Sequence, residues 1–159
     1  MREQPKNRIA KEAVKAWRIA ASIYISIYFI LVLASFVFAY IFKFTYWYSI
    51  GALFLGFLLG FIFIYLLPKL RYRRWRYEIF DQEIYIQRGI LVMTRTLIPM
   101  IRVQHVDTEQ GPILKRFKLA TVSISTAATT HDIPALREED ASALRDRIST
   151  LARVEEQDV

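Results

Sequence analysis

The chain holds no cysteine, so disulfides, thiolate metal sites and cysteine nucleophiles are excluded together. It has two histidines, His105 and His131, and no HExxH pattern, too little for a zinc centre of the usual kind. GxSxG, Walker A and GxGxxG patterns are missing too, which removes the common hydrolase and nucleotide-binding signatures. Charge is absent from two long stretches. Residues 19–42 and 44–67 each run 24 residues without a charged side chain, and Lys43 alone separates them.

What fills those stretches is aliphatic and aromatic. Each holds 14 Ile, Leu, Val or Phe residues. A helix of that length reaches about 36 Å, against a hydrocarbon core of about 30 Å. At roughly −0.4 kcal/mol per such residue, each helix gains about −6 kcal/mol on insertion. Residues 19–67 therefore read as a transmembrane helical hairpin, with spans at 19–42 and 44–67. A secretory signal has a far shorter apolar region and a small-residue cleavage site, and neither fits. Apart from tyrosine hydroxyls, no ionisable group lies inside either span, whereas pumps and ion-coupled transporters use buried charges.

The net charge of +7 is unevenly spread. Residues 1–18 carry +4, Lys43 adds one, residues 69–76 carry +5, and residues 77–159 carry −3. Basic membrane flanks around a mildly acidic remainder are the positive-inside pattern. It predicts a multi-pass protein of the cell membrane with both termini cytoplasmic and the Lys43 turn outside. It argues against nucleic acid as a partner and for anionic lipid, with Arg71, Arg73 and Arg74 as candidate contacts at about 1 kcal/mol each. Phe42, Phe44, Tyr46, Trp47 and Tyr48 crowd the outer end, and Trp17, Tyr72 and Trp75 mark the inner one, as interfacial belts do. An external aromatic binding site is the alternative reading of the outer group.

Ala52, Gly56 and Gly60 recur every fourth residue, and the last two frame a GxxxG. Small residues on one face let another helix approach closely. Ser22, Ser26, Ser35 and Ala39 of the first span are candidate counterparts. The partner is either that span or another subunit, and chance occurrence of the motif is the alternative.

Beyond the hairpin, Pro68 is expected to end the second helix, and residues 68–76 to form a basic connector. Short alternating segments then follow at close spacing: 75–80, 83–88, 90–94, 95–99, 101–110, 121–126 and 131–133. They imply an antiparallel sandwich or partly open barrel. Asp81-Gln82 and Gly111-Pro112 read as turns. Ala141, Leu144, Ile148 and Leu151 lie at helical spacing behind acidic Glu138, Glu139 and Asp140, which suit a helix N-terminus. The fold class is thus α+β: a basic N-terminal segment (1–18) with a helical lead-in at 9–18, the hairpin, the connector, a β domain capped by a C-terminal helix (77–154), and a frayed tail (155–159).

The stretch from Leu97 to Thr126 carries a signature. Pro99, Arg102, Gln104, Gln110, Gly111, Pro112, Leu114, Arg116, Phe117 and Leu119 together resemble the bacterial pleckstrin-homology domain of YdbS-like membrane proteins. The order of elements along the whole chain agrees. Lys118 and Ala128 stand where that pattern has glycine, so each places a Cβ where glycine could take φ > 0. The resemblance implies two packed antiparallel sheets capped by a helix, without catalysis or cofactor. It also implies a partner, a larger membrane protein with several such domains (YdbT-like), in a hetero-oligomer.

Arg102, Gln104 and His105 form the polar part of the signature. They read either as a contact surface for a partner domain or headgroup, or as structural groups, with Arg102 paired to Asp107 or Glu109 and Gln104 bonded to a loop backbone. Lys115, Arg116 and Lys118 form a loop cluster suited to phosphates or simply to water. His131 reads as an ordinary strand-end residue. The leading function is a non-enzymatic anchored subunit that presents its domain for assembly. The alternatives are a lipid-handling module, or an accessory subunit of a transporter or exporter affecting tolerance to membrane-active compounds.

Overall fold

A computed structural model describes residues 3–157. Strand β1 (Asn7–Arg8) comes first, then helix α1 (Ala13–Ile41). Helix α2 (Trp47–Gly60) continues through a π-helical turn (Phe61–Leu66) into α3 (Leu67–Arg74). The domain follows as β2 (Arg76–Ile79), β3 (Glu83–Arg88), β4 (Thr94–Pro99), a 3-10 turn (Met100–Arg102), β5 (Val103–Glu109), α4 (Pro112–Arg116), β6 (Leu119–Thr126), β7 (Thr130–Arg137) and α5 (Glu138–Gln157). Two antiparallel sheets result, ordered β1-β2-β3-β4 and β5-β6-β7. The α+β class expected from the sequence is the one observed.

The N-terminal segment departs from expectation. The expected helical lead-in at 9–18 begins only at Ala13, and the residues before it belong to the domain. Asn7 pairs with Tyr77 and Arg8 with Arg76, so a strand before the hairpin joins a strand after it. The Ala10 amide donates to the Ala135 carbonyl at 3.1 Å. Ile9, Ala13 and Ala16 are buried in the same core as Ile84, Ile86, Leu119, Ile124, Ile133 and Ile148. Spaced at i, i+4 and i+7, they form one apolar stripe, and α1 starts inside the domain before it leaves for the apolar span. Met1 and Arg2, counted in the basic flank, lie outside the described residues.

The two long helices expose their apolar side chains. Only 6% and 11% of the most apolar windows of 13–41 and 47–74 are buried, so neither is the core helix of a soluble protein. At the turn, Phe44 donates to the Ala39 carbonyl at 3.0 Å, and Lys43 takes φ 54. This is the left-handed closure of a helix C-terminus, made here by lysine where glycine is usual.

Pro68 does not end the second helix, and the expected connector is largely helical. Proline lacks a donor and crowds the carbonyl four residues back. The π turn absorbs this: the Leu67 amide bonds to the Ile62 carbonyl, five residues back, and the helix resumes to Arg74. Trp75 then takes extended angles, φ −79 and ψ 121, and β2 follows at once.

Two strand assignments also change. Residues 90–93 form a loop rather than a strand. The last strand runs through Pro134 to Arg137, tolerable because β7 is a sheet edge, and the register shifts opposite Ala135, which has φ 52. Helix α5 caps the core through Ala141 and Ile148, with Leu144 and Leu151 partly buried beside them. It runs to Gln157, past the expected start of the tail, of which residues 158 and 159 lie outside the described residues.

Because Ile9 fills the core from before the hairpin, Ile9→Ala should cost about 2–4 kcal/mol, read as a lower thermal midpoint of the full chain in detergent. A fragment starting at residue 77 lacks β1 and Ile9, and should show no cooperative thermal transition.

Candidate functional site

The signature residues separate into two groups at opposite ends of the domain. Sheet register defines the ends. Arg8, Arg76 and Gln87 share one row beside the helices. The β2–β3 turn closes the other end, where the Phe80 amide bonds to the Glu83 carbonyl at 2.9 Å.

At the far end, the Met100 amide bonds to the Gln82 carbonyl at 2.9 Å and starts the 3-10 turn. Arg102 ends that turn, and Gln104 sits where the β5–β6 register shifts between Val103 and His105. Pro99, Arg102, Gln104 and His105 are all exposed, as are Leu97 and Ile101. His105 Nδ1 lies 3.0 Å from the Gln104 carbonyl. Arg102 forms no ion pair with Asp107 or Glu109 among the described residues. Strand β5 is the outer strand of its sheet, and helix α5 packs beside it and beside the 3-10 turn.

At the membrane end, Gln110, Gly111, Pro112 and Arg116 belong to the α4 turn. Gln110 Nε2 donates to the Leu119 carbonyl at 2.9 Å and closes the loop. Gly111 precedes the helix with φ −73, and a Cβ there would meet nothing within 4 Å. Pro112 takes the first helical turn, where its missing N–H costs nothing. Lys118 adopts φ 52, so this lysine holds a left-handed backbone despite its Cβ, and its carbonyl accepts from Glu138 at 3.0 Å. Ala128 is not left-handed.

Helix α4 packs against α1, and α1 packs against α3. The exposed Lys115, Arg116 and Lys118 and the exposed Arg71, Arg73 and Arg74 therefore surround one helix stem. Two cation–π contacts tie the stem: Arg71 lies 4.4 Å from the Trp17 ring centroid and Arg18 5.4 Å from that of Tyr65. Such contacts contribute about 0.5–2 kcal/mol each. The inner aromatic belt thus also binds helix to helix.

Small residues face α1 of the same chain. Gly56 is buried, and a Cβ there would stand 2.6 Å from Tyr28 Cε1. Tyr28 donates its hydroxyl to the Ala52 carbonyl at 2.8 Å. A Cβ at Gly60 would lie 3.6 Å from Ile25 Cγ2. Nearer the turn, the Ser35 and Ser49 hydroxyls are 3.0 Å apart. Among the described residues no group of three His, Cys, Asp or Glu could hold a metal ion. His131 is held below its ordinary pKa by burial and then by Arg88, with Asp132 opposing. Tyr77 is raised by burial and by Asp140.

The sequence matches the bacterial PH domain family over residues 13–152, a range that includes both long helices. It is 52% identical to the transmembrane protein YdbS of Bacillus subtilis (strain 168) over 160 residues, covering all of both chains. It is 29% identical to the transmembrane protein YdbT of the same organism over 96 residues, which is 57% of this chain and 20% of that one. No solved structure matches it.

Gly56→Leu should force the helices apart, break the Tyr28–Ala52 bond and lower the thermal midpoint in detergent. Gly51→Leu, where a Cβ meets nothing, should leave it unchanged. In an NMR titration His131 should lose its proton below the ordinary histidine midpoint, and Arg88→Gln should move that midpoint upward.

Proposed function

We propose a function for this chain from one premise: it belongs to the bacterial PH domain family, as a transmembrane member with two candidate apolar spans. It acts as a non-enzymatic subunit, anchored in the cell membrane with both termini cytoplasmic, that offers its domain to a larger membrane protein containing the same kind of domain. The observation that carries this reading is the far-end surface. Pro99, Arg102, Gln104 and His105 are exposed beside Leu97 and Ile101, next to a sheet edge. Arginine beside exposed apolar residues is a common interface composition. The similarity to YdbT supports the choice of partner, since the shared region occupies only 20% of that protein.

The basic stem supports a second reading compatible with the first. Arg71, Arg73, Arg74, Lys115, Arg116 and Lys118 surround the helices where headgroups of an anionic leaflet would lie. They would hold the domain against the bilayer while the far end meets the partner.

Cross-linked purification of the full chain in mild detergent should recover a membrane protein with bacterial PH domains. Arg102→Glu combined with His105→Glu should lower that recovery about tenfold, or roughly 1.4 kcal/mol, at unchanged expression. A lone monomer under cross-linking, or recovery that ignores these substitutions, overturns the assembly reading.

A further inference from the structure

The loop between β3 and β4 exposes the most prominent apolar tip of the folded domain. Leu91 is 98% exposed, Val92 78% and Met93 37%. Gly89 fixes this shape. Its φ is +125, and a Cβ there would stand 1.8 Å from the Val92 carbonyl oxygen, so the chain closes tightly and turns its apolar residues outward.

Sheet register gives the direction of the tip. Strand β2 leaves the helix stem at Arg76 and runs away from it, and β3 returns, with Gln87 opposite Arg76. Strand β3 also packs against α3. The loop therefore lies at the end of the sheet from which both long helices depart. Seven of the eight residues of helix α3 lie beyond the apolar span, a rise of about 10 Å. Beyond Arg88 the chain turns tightly within residues 89–93, and the exposed leucine side chain at its tip adds a few ångströms toward the span. The tip thus comes to the level of the interfacial layer. Its shoulders are basic: Arg88 and Arg95 are exposed at the loop's base, near the exposed Arg73 and Arg74 of the stem.

We propose that the loop at residues 89–93 is a third membrane contact, which inserts Leu91 and Val92 into the interface of an anionic leaflet while Arg88 and Arg95 meet its phosphates. The occupant follows from continuity with the membrane-spanning hairpin and from charge complementarity. The proposal goes beyond the assembly reading and needs no partner protein.

The absence of cysteine makes the test direct. Leu91→Cys and, as control at the opposite end of the sheet, Asp81→Cys carry an environment-sensitive fluorophore in the full-length chain. The chain is reconstituted alone into phosphatidylcholine vesicles with or without phosphatidylglycerol. Nitroxide on the upper acyl chain should quench the label at 91 about threefold or more above that at 81, and the excess should shrink in neutral lipid and after Arg88→Gln with Arg95→Gln. Val92→Cys should repeat the result. Equal quenching at 91 and 81 overturns the proposal. So does a label at 91 that is shielded from aqueous iodide yet untouched by the lipid nitroxide, which would mean a second copy of the chain covers the loop. With no partner present, either negative leaves the assembly reading standing.

Discussion

The pairing of Asn7–Arg8 with Tyr77 and Arg76 constrains everything else. A two-residue ladder contributes little alone, but it carries Ile9, Ala13 and Ala16 into the main core. The hairpin is consequently an insertion within a domain rather than an anchor placed before one. Both of its ends must emerge on the same face of the bilayer, because both are fixed to one sheet. The basic flanks at residues 1–18 and 69–76 then mark a single level from two directions.

Within the hairpin, most of the apolar surface is left for lipid, and the seam depends on small groups. Gly56 lets Tyr28 approach, Tyr28 bonds to Ala52, and Ser35 meets Ser49. Lipid tails give no hydrophobic reason for helices to meet, so close approach and a few hydrogen bonds must suffice. At the inner end Arg71 and Arg18 grip aromatic rings across the helices, and the seam passes into the domain core without a flexible joint. Continuous helix through Pro68 adds stiffness where a loop was expected.

Much of this was legible. Uncharged length marked the spans, spacing marked the small-residue stripe, and Ala141, Leu144, Ile148 and Leu151 marked the capping helix. The misses share a cause: local rules lost to context. Asn7–Arg8 is too short and polar for a period, though the spacing of Ile9, Ala13 and Ala16 pointed to a buried stripe. Pro68 is a stop signal on its own, but a π turn upstream accommodates it. Residues 90–93 look like a strand by composition, but the tight turn that begins at Gly89 makes them a loop. The signature from Leu97 to Thr126 was readable as a set, yet its parts do different things. Gln110 closes a turn on the Leu119 carbonyl, whereas Arg102 faces solvent at the far end.

The interrupted sheet also sets an order of events during biosynthesis. Strand β1 is translated first but has no partner until both long helices and β2 have been made. If only one helix crossed the bilayer, β1 and β2 would be stranded on opposite sides, and the core could not receive Ile9. Closure of the soluble domain is therefore conditional on correct insertion of the hairpin. A chain with only one helix inserted is left with an incomplete core.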